Sequence, residues 1–393
     1  NYQKPIQPEI TMLAKNKFSF LNQVGSINNS SDWNNSKYSK LWLYNLHYFN
    51  DLNAKGYLDR QDWHLSIVDQ WIEHNDIGLG NGWEPYTLSL RIVNWIKYFI
   101  SNNYRNKSWE DSLMIQAQYL SKNIEYDILG NHILANSKAL IFVGLFFECD
   151  KSQAWLKRGE SILIKEINEQ ILDDGGHFEL SPMYHSIVLE DFIDLHNMYH
   201  AYGVKAPVSF FEVVNKMLKW LAVMIHPDQA ISFFNDTTLG VAQTFSDLEN
   251  YAIESFKEMN GPIGKINQSL ITLPYSGYSR IKRNNYHALI DHAKTGPCYL
   301  SGHSHADTLS FELSVFEKRI IVNSGISLYQ DVNNNSNDSQ RHKQRSTSMH
   351  STVELDGKNS SEVWSSFRLA RRANVTNLTS YCNANPCADN VLS

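Results

Sequence analysis

The chain has 393 residues, 42% hydrophobic and 19% charged, enough for a large core and too apolar for a globally disordered protein. Its 35 Lys and Arg are outnumbered by 41 Asp and Glu, and the net charge of −6 argues against a nucleic-acid partner, which needs a basic face. No apolar run reaches the ~18 residues of a membrane span. Cys149, Cys298, Cys382 and Cys387 form no disulfide framework and no close metal-type pair.

Length predicts about two or three domains. Residues 1–40 read as an N-terminal extension to a helical domain that runs to 270. From about 61 to 260 the apolar residues recur at three- and four-residue steps: Trp63, Ile67, Val68, Trp71, then Leu88, Ile92, Trp95, Phe99, then Leu113, Ala117, Leu120. Asn131 is placed to cap the next helix, through Leu134, Leu140 and Leu145, and further helices are expected over 152–171, 184–202, 209–226 and 244–258. Successive helices without intervening strands imply an all-α array rather than βαβ units.

After Pro274 the pattern changes to short β-prone runs around Tyr278–Ile281, Tyr286–Ile290, Cys298–Ser301, Thr308–Phe316, Arg319–Asn323 and Thr352–Leu355. Residues 271–393 therefore read as an antiparallel β domain, and the whole as an α+β multidomain chain. Its two domains would meet at an interface, a common place for a substrate cleft.

Four segments carry the chemistry. In Gly130-Asn131-His132-Ile133-Leu134-Ala135-Asn136, amide and imidazole donors near a helix N-terminus can neutralise a carboxylate, or simply cap and fill a core. In Ser181-Pro182-Met183-Tyr184-His185, a loop feeds a helix whose first turn presents a tyrosine able to pass a proton if a cation lies near it. The run Arg341-His342-Lys343-Gln344-Arg345 supplies local positive charge suited to carboxylate or sulfate, although most charge runs are solvated faces. The row His303-Ser304-His305-Ala306-Asp307 leads into an alternating pattern, so a strand would put His303, His305 and Asp307 on one face. That row can abstract protons, hold a metal, divide the two jobs, or satisfy buried hydrogen bonds. His305 and His350 suit a zinc ion as nitrogen ligands from different strands, with Asn323 as a soft third ligand.

Taken in order, Gly130-Asn131-His132, Ser181-Pro-Met-Tyr184-His185, Gly302-His303-Ser-His305-Ala-Asp307 and Arg345-Ser-Thr-x-x-His350-Ser-Thr-Val resemble the heparinase II/III-like polysaccharide lyases. So do Trp42-Leu-Tyr-Asn45-Leu-His47-Tyr-Phe, Trp83-Glu84-Pro85-Tyr86 and Glu362-Val-Trp364-Ser-Ser-Phe367-Arg368. The likeness covers roughly residues 40–372 and is similar to members encoded with bacterial surface-polysaccharide genes.

The resemblance implies an incomplete (α/α) toroid followed by an antiparallel β-sandwich. It also implies β-elimination at a uronic acid of an acidic polysaccharide or oligosaccharide. It places Asn131 and His132 at the carboxylate, Tyr184 as acid and in part base, and His303 as base for one C5 epimer. Trp83, Glu84, Tyr86, His185, Tyr329 and Arg345 fall on the substrate side. A structural zinc is implied at His305, an aspartate and His350, with Asn323 standing at the aspartate's position.

Residues 374–393 depart from the family pattern, and the rest of the sandwich is expected to be truncated or altered. A chain opening at Asn1 is consistent with a leader removed or never included, and the expected compartment is the periplasm or exterior of a bacterium, with the cytoplasm as the alternative. A glycan-binding or biosynthetic accessory protein that keeps the fold without turnover is the second reading. A metal-dependent hydrolase is disfavoured, because carboxylates at general acid–base spacing are not evident.

Overall fold

The computed structural model describes residues 2–263, 266–329, 339–376, 380–381 and 391–392. It is an α+β chain of two compact units: Asn1–Ile167 with Asp191–Val208, and Asn168–Glu190 with Ser209–Ser393. The units interleave in sequence, because the helices at 150–170 and 182–202 each contribute residues to both.

The first unit opens with an antiparallel meander of β1 (Met12–Ala14), β2 (Lys17–Phe20) and β3 (Gln23–Ser26), within the stretch expected as an extension. Helices follow: α1 (Lys40–Tyr48), α2 (Gln61–His74), α3 (Pro85–Asn102), α4 (Lys107–Leu120), α5 (Gly130–Phe146) and α6 (Asp150–Gln170). Their starts are chemical: Ser39 caps α1 at the Trp42 amide, Asn106 caps α4 at the Trp109 amide, and Pro85 takes the first turn of α3. Buried indoles of Trp33, Trp71, Trp95 and Trp109 fill the core, and the Arg91 guanidinium lies 3.8 Å over Trp71.

Helix α5 is buried at every position except His132, as expected for a helix apolar on all sides. Asn131 does not cap it. The cap position is Leu129, in the left-handed region at φ 63°, followed by Gly130 at φ 58°. A leucine there is strained, so the start of α5 is held by its surroundings.

The second unit contains the first turns of α7 (Pro182–Tyr202), then α8 (Phe210–Met224) and α9 (Phe245–Ser255). A five-stranded antiparallel sheet follows in the order β4 (Leu270–Leu273), β5 (Tyr278–Arg283), β6 (Tyr286–Asp291), β7 (Phe311–Val315) and β8 (Lys318–Ile321). Period-two alternation buries His287, Leu289, Asp291, Glu312 and Ser314 on one face and leaves Ala288, Ile290, Phe311, Leu313 and Val315 half-buried on the other. The short helix α10 (Gln340–Arg345) precedes a hairpin of β9 (Glu362–Ser365) and β10 (Arg368–Ala370).

Three strand expectations fail. Cys298–Ser301 is a turn region in which the Leu300 amide donates to the Pro297 carbonyl. Thr352–Leu355 makes only an isolated bridge, from Leu355 to Lys358. The row from His303 to Leu309 is a loop, with Leu309 at φ 64° and the Ser310 amide turned back to the Asp307 carbonyl, and the strand begins only at Phe311. Cys382, Cys387 and most of the tail lie outside the described residues, apart from Ser380–Tyr381 paired with Val391–Leu392.

Candidate active site

In the second unit the Ser-Pro signal behaves as a helix start. The Ser181 hydroxyl accepts the Tyr184 amide at 3.3 Å and donates to the Asp236 carbonyl at 2.7 Å, so the first turn of α7 is tied to the 234–237 segment. Tyr184 lies with its ring centroid 4.1 Å from that of His303, tilted 33°, and its hydroxyl is 2.8 Å from the Tyr329 hydroxyl.

Asp236 organises the site, and nothing in its sequence surroundings marks it. His303 Nδ1 donates to its Oδ2 at 2.7 Å and His305 Nε2 to its Oδ1 at 2.8 Å. Arg341 grips both oxygens, with Nη2 at 2.8 Å from Oδ2 and Nη1 on Oδ1. Burial opposes charge on Asp236, but the Arg341 cation and the two imidazole donors outweigh it and hold the carboxyl well below its usual range. An ionised carboxylate only accepts, so His303 presents a proton to it on Nδ1, and its Nε2 lies 3.7 Å from Glu179 Oε2. That is the geometry of an oriented general base beside a tyrosine acid.

Behind His303 is a group able to hold a metal. Ligand atoms of His305, Asp307 and His350 lie within 4.8 Å of one another, and all three residues are buried. The outer nitrogens of the two imidazoles have acceptors: Asp236 for His305 Nε2, and Asn323 Oδ1 at 3.3 Å for His350 Nδ1. This leaves His305 Nδ1 and His350 Nε2 facing each other at 3.3 Å with lone pairs, beside an Asp307 Oδ2 that is buried without a partner. Burial pushes His350 down to about 4 and lowers His305 as well, so neither is held as a cation. Two lone pairs and an orphaned carboxylate oxygen fit a divalent cation. The carboxylate grouped with the two histidines is that of Asp307. The Asn323 Oδ1 accepts from His350 Nδ1 and from the Ser351 amide and hydroxyl.

Two further expectations change. His185 is fully buried, stacked on Trp220 at 4.3 Å, with Nε2 donating to the Met217 carbonyl, and burial lowers it to about 3. Arg345 is also fully buried, its guanidinium donating to the carbonyls of Ser304, Ser301 and Ser365. Burial and the neighbouring Arg341 cation pull it down to about 9. Both are supports, not substrate contacts. Gly325 has a backbone reason: at φ 58°, any Cβ there would stand 2.3 Å from the Thr237 carbonyl oxygen, beside Asp236.

In the first unit His132 is half-buried, its Nδ1 donating to Glu125 Oε1 at 3.1 Å and its ring 4.3 Å from Tyr86, tilted 32°. Glu125, also unmarked in sequence, is pinned by Asn136. The Asn136 amide donates to Glu125 Oε2 at 3.0 Å and to the Ser89 hydroxyl at 3.1 Å, while its oxygen accepts the Glu125 amide. Asn131, beside His132, is buried. Glu84 accepts from Tyr44 and pairs with Lys40 at 2.9 Å, but Trp83 is a core residue whose indole donates to the Asn75 carbonyl.

Comparison with known proteins matches most of the chain to two family models. Residues 8–260 match the family described as Heparinase II/III N-terminus, and residues 265–386 match Heparinase II/III-like, C-terminal. The chain is 29% identical over 249 residues to a heparin-sulfate lyase of Bacteroides stercoris, covering 60% of this chain and 37% of that protein. It is 27% identical over 327 residues to a heparin-sulfate lyase of Pedobacter heparinus, covering 76% of this chain and 48% of that one. A crystal structure of heparinase III superposes with a TM-score of 0.72 at 20% identity, covering 90% of this chain and 59% of that chain. The chain thus spans about half or less of the length of these curated relatives.

Proposed function

The chain belongs to the heparinase II/III family, and from that membership we propose that it is a polysaccharide lyase that cleaves heparan sulfate or a related uronate-containing glycan by β-elimination. The expectation of an incomplete (α/α) toroid followed by an antiparallel sandwich comes with the family. The observation that carries the reaction is the Tyr184–His303 pair, with His303 Nδ1 fixed by a charged Asp236 and Tyr184 bonded to Tyr329.

In the proposed reaction His303 Nε2 takes the C5 proton of the uronate. The electron pair forms the C4=C5 double bond as the C4–O bond breaks, and the Tyr184 hydroxyl gives its proton to the leaving oxygen. Proton return from the His303 imidazolium to the tyrosinate restores the site. For the other C5 epimer, Tyr184 serves as both base and acid. Asn131 and His132 are assigned to the uronate carboxylate, whose neutralisation makes C5 acidic, and Glu84 and Tyr86 to substrate contact.

His305 Nδ1, His350 Nε2 and an Asp307 oxygen would hold a zinc ion. When bound, it would supply structural charge neutralisation for Asp307 and fix the loop that carries His303.

The test is the mass of the products from heparan sulfate. Elimination gives fragments one water lighter than hydrolysis, each ending in an unsaturated uronate. Fragments at the hydrolytic mass would overturn the reading.

A further inference from the structure

The β9–β10 hairpin is built as two faces. Val363 and Leu369 are buried against Ala306, the residue between His305 and Asp307 in the active-site loop. The opposite face exposes Trp364 (53%), Phe367 (44%) and Arg368, and the Arg368 guanidinium lies 5.2 Å from the Trp364 ring centre.

The tip is not a loose turn. Arg341 Nε donates to the Ser366 carbonyl at 3.0 Å and Arg345 Nη1 to the Ser365 carbonyl at 2.7 Å, from guanidinium groups that are themselves fully buried. Phe367 lies parallel to Tyr329, with centroids 6.4 Å apart and planes within 9°, and the Arg341 guanidinium lies over both rings at 5.3 and 5.6 Å. Tyr329 is the residue whose hydroxyl meets that of Tyr184. One arginine therefore fixes the carboxylate behind His303 and also the backbone that presents Phe367.

Phe367 keeps 44% of its surface in water while aligned with Tyr329, whose hydroxyl meets that of the reacting Tyr184. A flat apolar surface beside a cation matches the apolar face of a pyranose bearing a carboxylate or sulfate. We propose that the Glu362–Ala370 hairpin is an acidic-sugar subsite, with Phe367 stacking on the ring next to the one cleaved and Arg368, braced on Trp364, meeting its anionic group. Glu362 and Arg371 close the base of the hairpin with an exposed ion pair at 2.9 Å and lie outside this surface. The assignment rests on the lyase reading for the position of the scissile bond, and on the hairpin itself for the contact.

The test uses the full chain in two arms. In the first, KM and kcat on heparan sulfate are measured for the wild type, Phe367→Ala, Phe367→Trp and Arg368→Gln. In the second, the affinity of a heparan sulfate hexasaccharide is measured by calorimetry in a Tyr184→Phe background with and without the hairpin changes. The expected result is that Phe367→Ala raises KM and Kd about two- to tenfold with kcat little changed, and Phe367→Trp restores both. Arg368→Gln should weaken binding and reduce its salt dependence. Unchanged KM and Kd in Phe367→Ala would overturn the subsite even if the wild type is an active lyase. A wild type that makes no unsaturated product would sink the lyase reading alone, and the affinity arm would still decide on the hairpin.

Discussion

The two units build the same local device from different surroundings. In each, a histidine donates Nδ1 to a carboxylate and lies against a tyrosine ring: His132 with Glu125 and Tyr86, His303 with Asp236 and Tyr184. The ring geometries almost coincide, at 4.3 Å and 32° against 4.1 Å and 33°. The carboxylates differ. Glu125 is held by the neutral amide of Asn136, whereas Asp236 is gripped on both oxygens by a buried guanidinium and shared with His305. A shared, cation-matched carboxylate can hold its histidine in a fixed orientation and join it to a group able to hold a metal. An amide-held carboxylate orients its histidine and nothing further, which suits a residue that meets a substrate anion.

Removing the carboxylates should separate the two devices. Asp236→Ala leaves a buried Arg341 without its anion and two imidazoles without acceptors, so we expect a loss of ~3–5 kcal/mol of stability by urea denaturation. A loss no larger than that of Glu125→Gln would break the distinction. Zinc uptake, measured by equilibrium dialysis and metal analysis, should vanish in Asp307→Ala. In Asn323→Ala it should weaken only about 10- to 100-fold, because in the proposed site Asn323 orients a ligand without being one. Equal losses would make Asn323 a ligand after all.

Asp51 offers a control away from the candidate site. It accepts from Arg60, His64 and the amides of Thr11 and Met12, so like Asp236 it pairs with an arginine and an imidazole, but backbone amides take the place of the second histidine. Burial opposes its charge, yet the His64, backbone and Arg60 bonds hold it at about 2. Its folded pKa lies below the unfolded value, so its contribution of about 2–3 kcal/mol is present above about pH 4 and lost as pH falls toward 2. Denaturation of Asp51→Asn across that window should show a flatter pH dependence than the wild type; an unaltered slope would count against the assignment. The smallest change expected is in Glu125→Gln, about 1–2 kcal/mol by thermal melting, with KM raised more than kcat falls. A fall confined to kcat would place Glu125 with the proton-transfer groups.

Helices such as α2, α3 and α4 were legible because they are long and keep a three- to four-residue apolar period. The loop from His303 to Leu309 was misread because its alternating residue types imitate a strand, while its conformation is set by turns and by the Ala306 amide's bond to the distant Arg345 carbonyl. Asp236 and Glu125 carried no signal, since their partners lie far away in the chain or are ordinary amides. The Ser181-Pro182 start showed where Tyr184 would be presented. Nothing local distinguishes a surface arginine from Arg345, which is swallowed by three carbonyls. Strands as short as β9 and β10 fall below the length at which alternation is informative.

The central claim is that Tyr184 and His303 move protons and do not merely bind glycan. Turnover of heparan sulfate by Tyr184→Phe, followed by ultraviolet absorbance of unsaturated ends alongside its melting temperature, tests this most directly. The phenyl ring keeps its packing against His303 and loses only the hydroxyl, so kcat should fall about 10²- to 10⁴-fold with the melting temperature nearly unchanged. A Tyr184→Phe protein that turns over at the wild-type rate would contradict it.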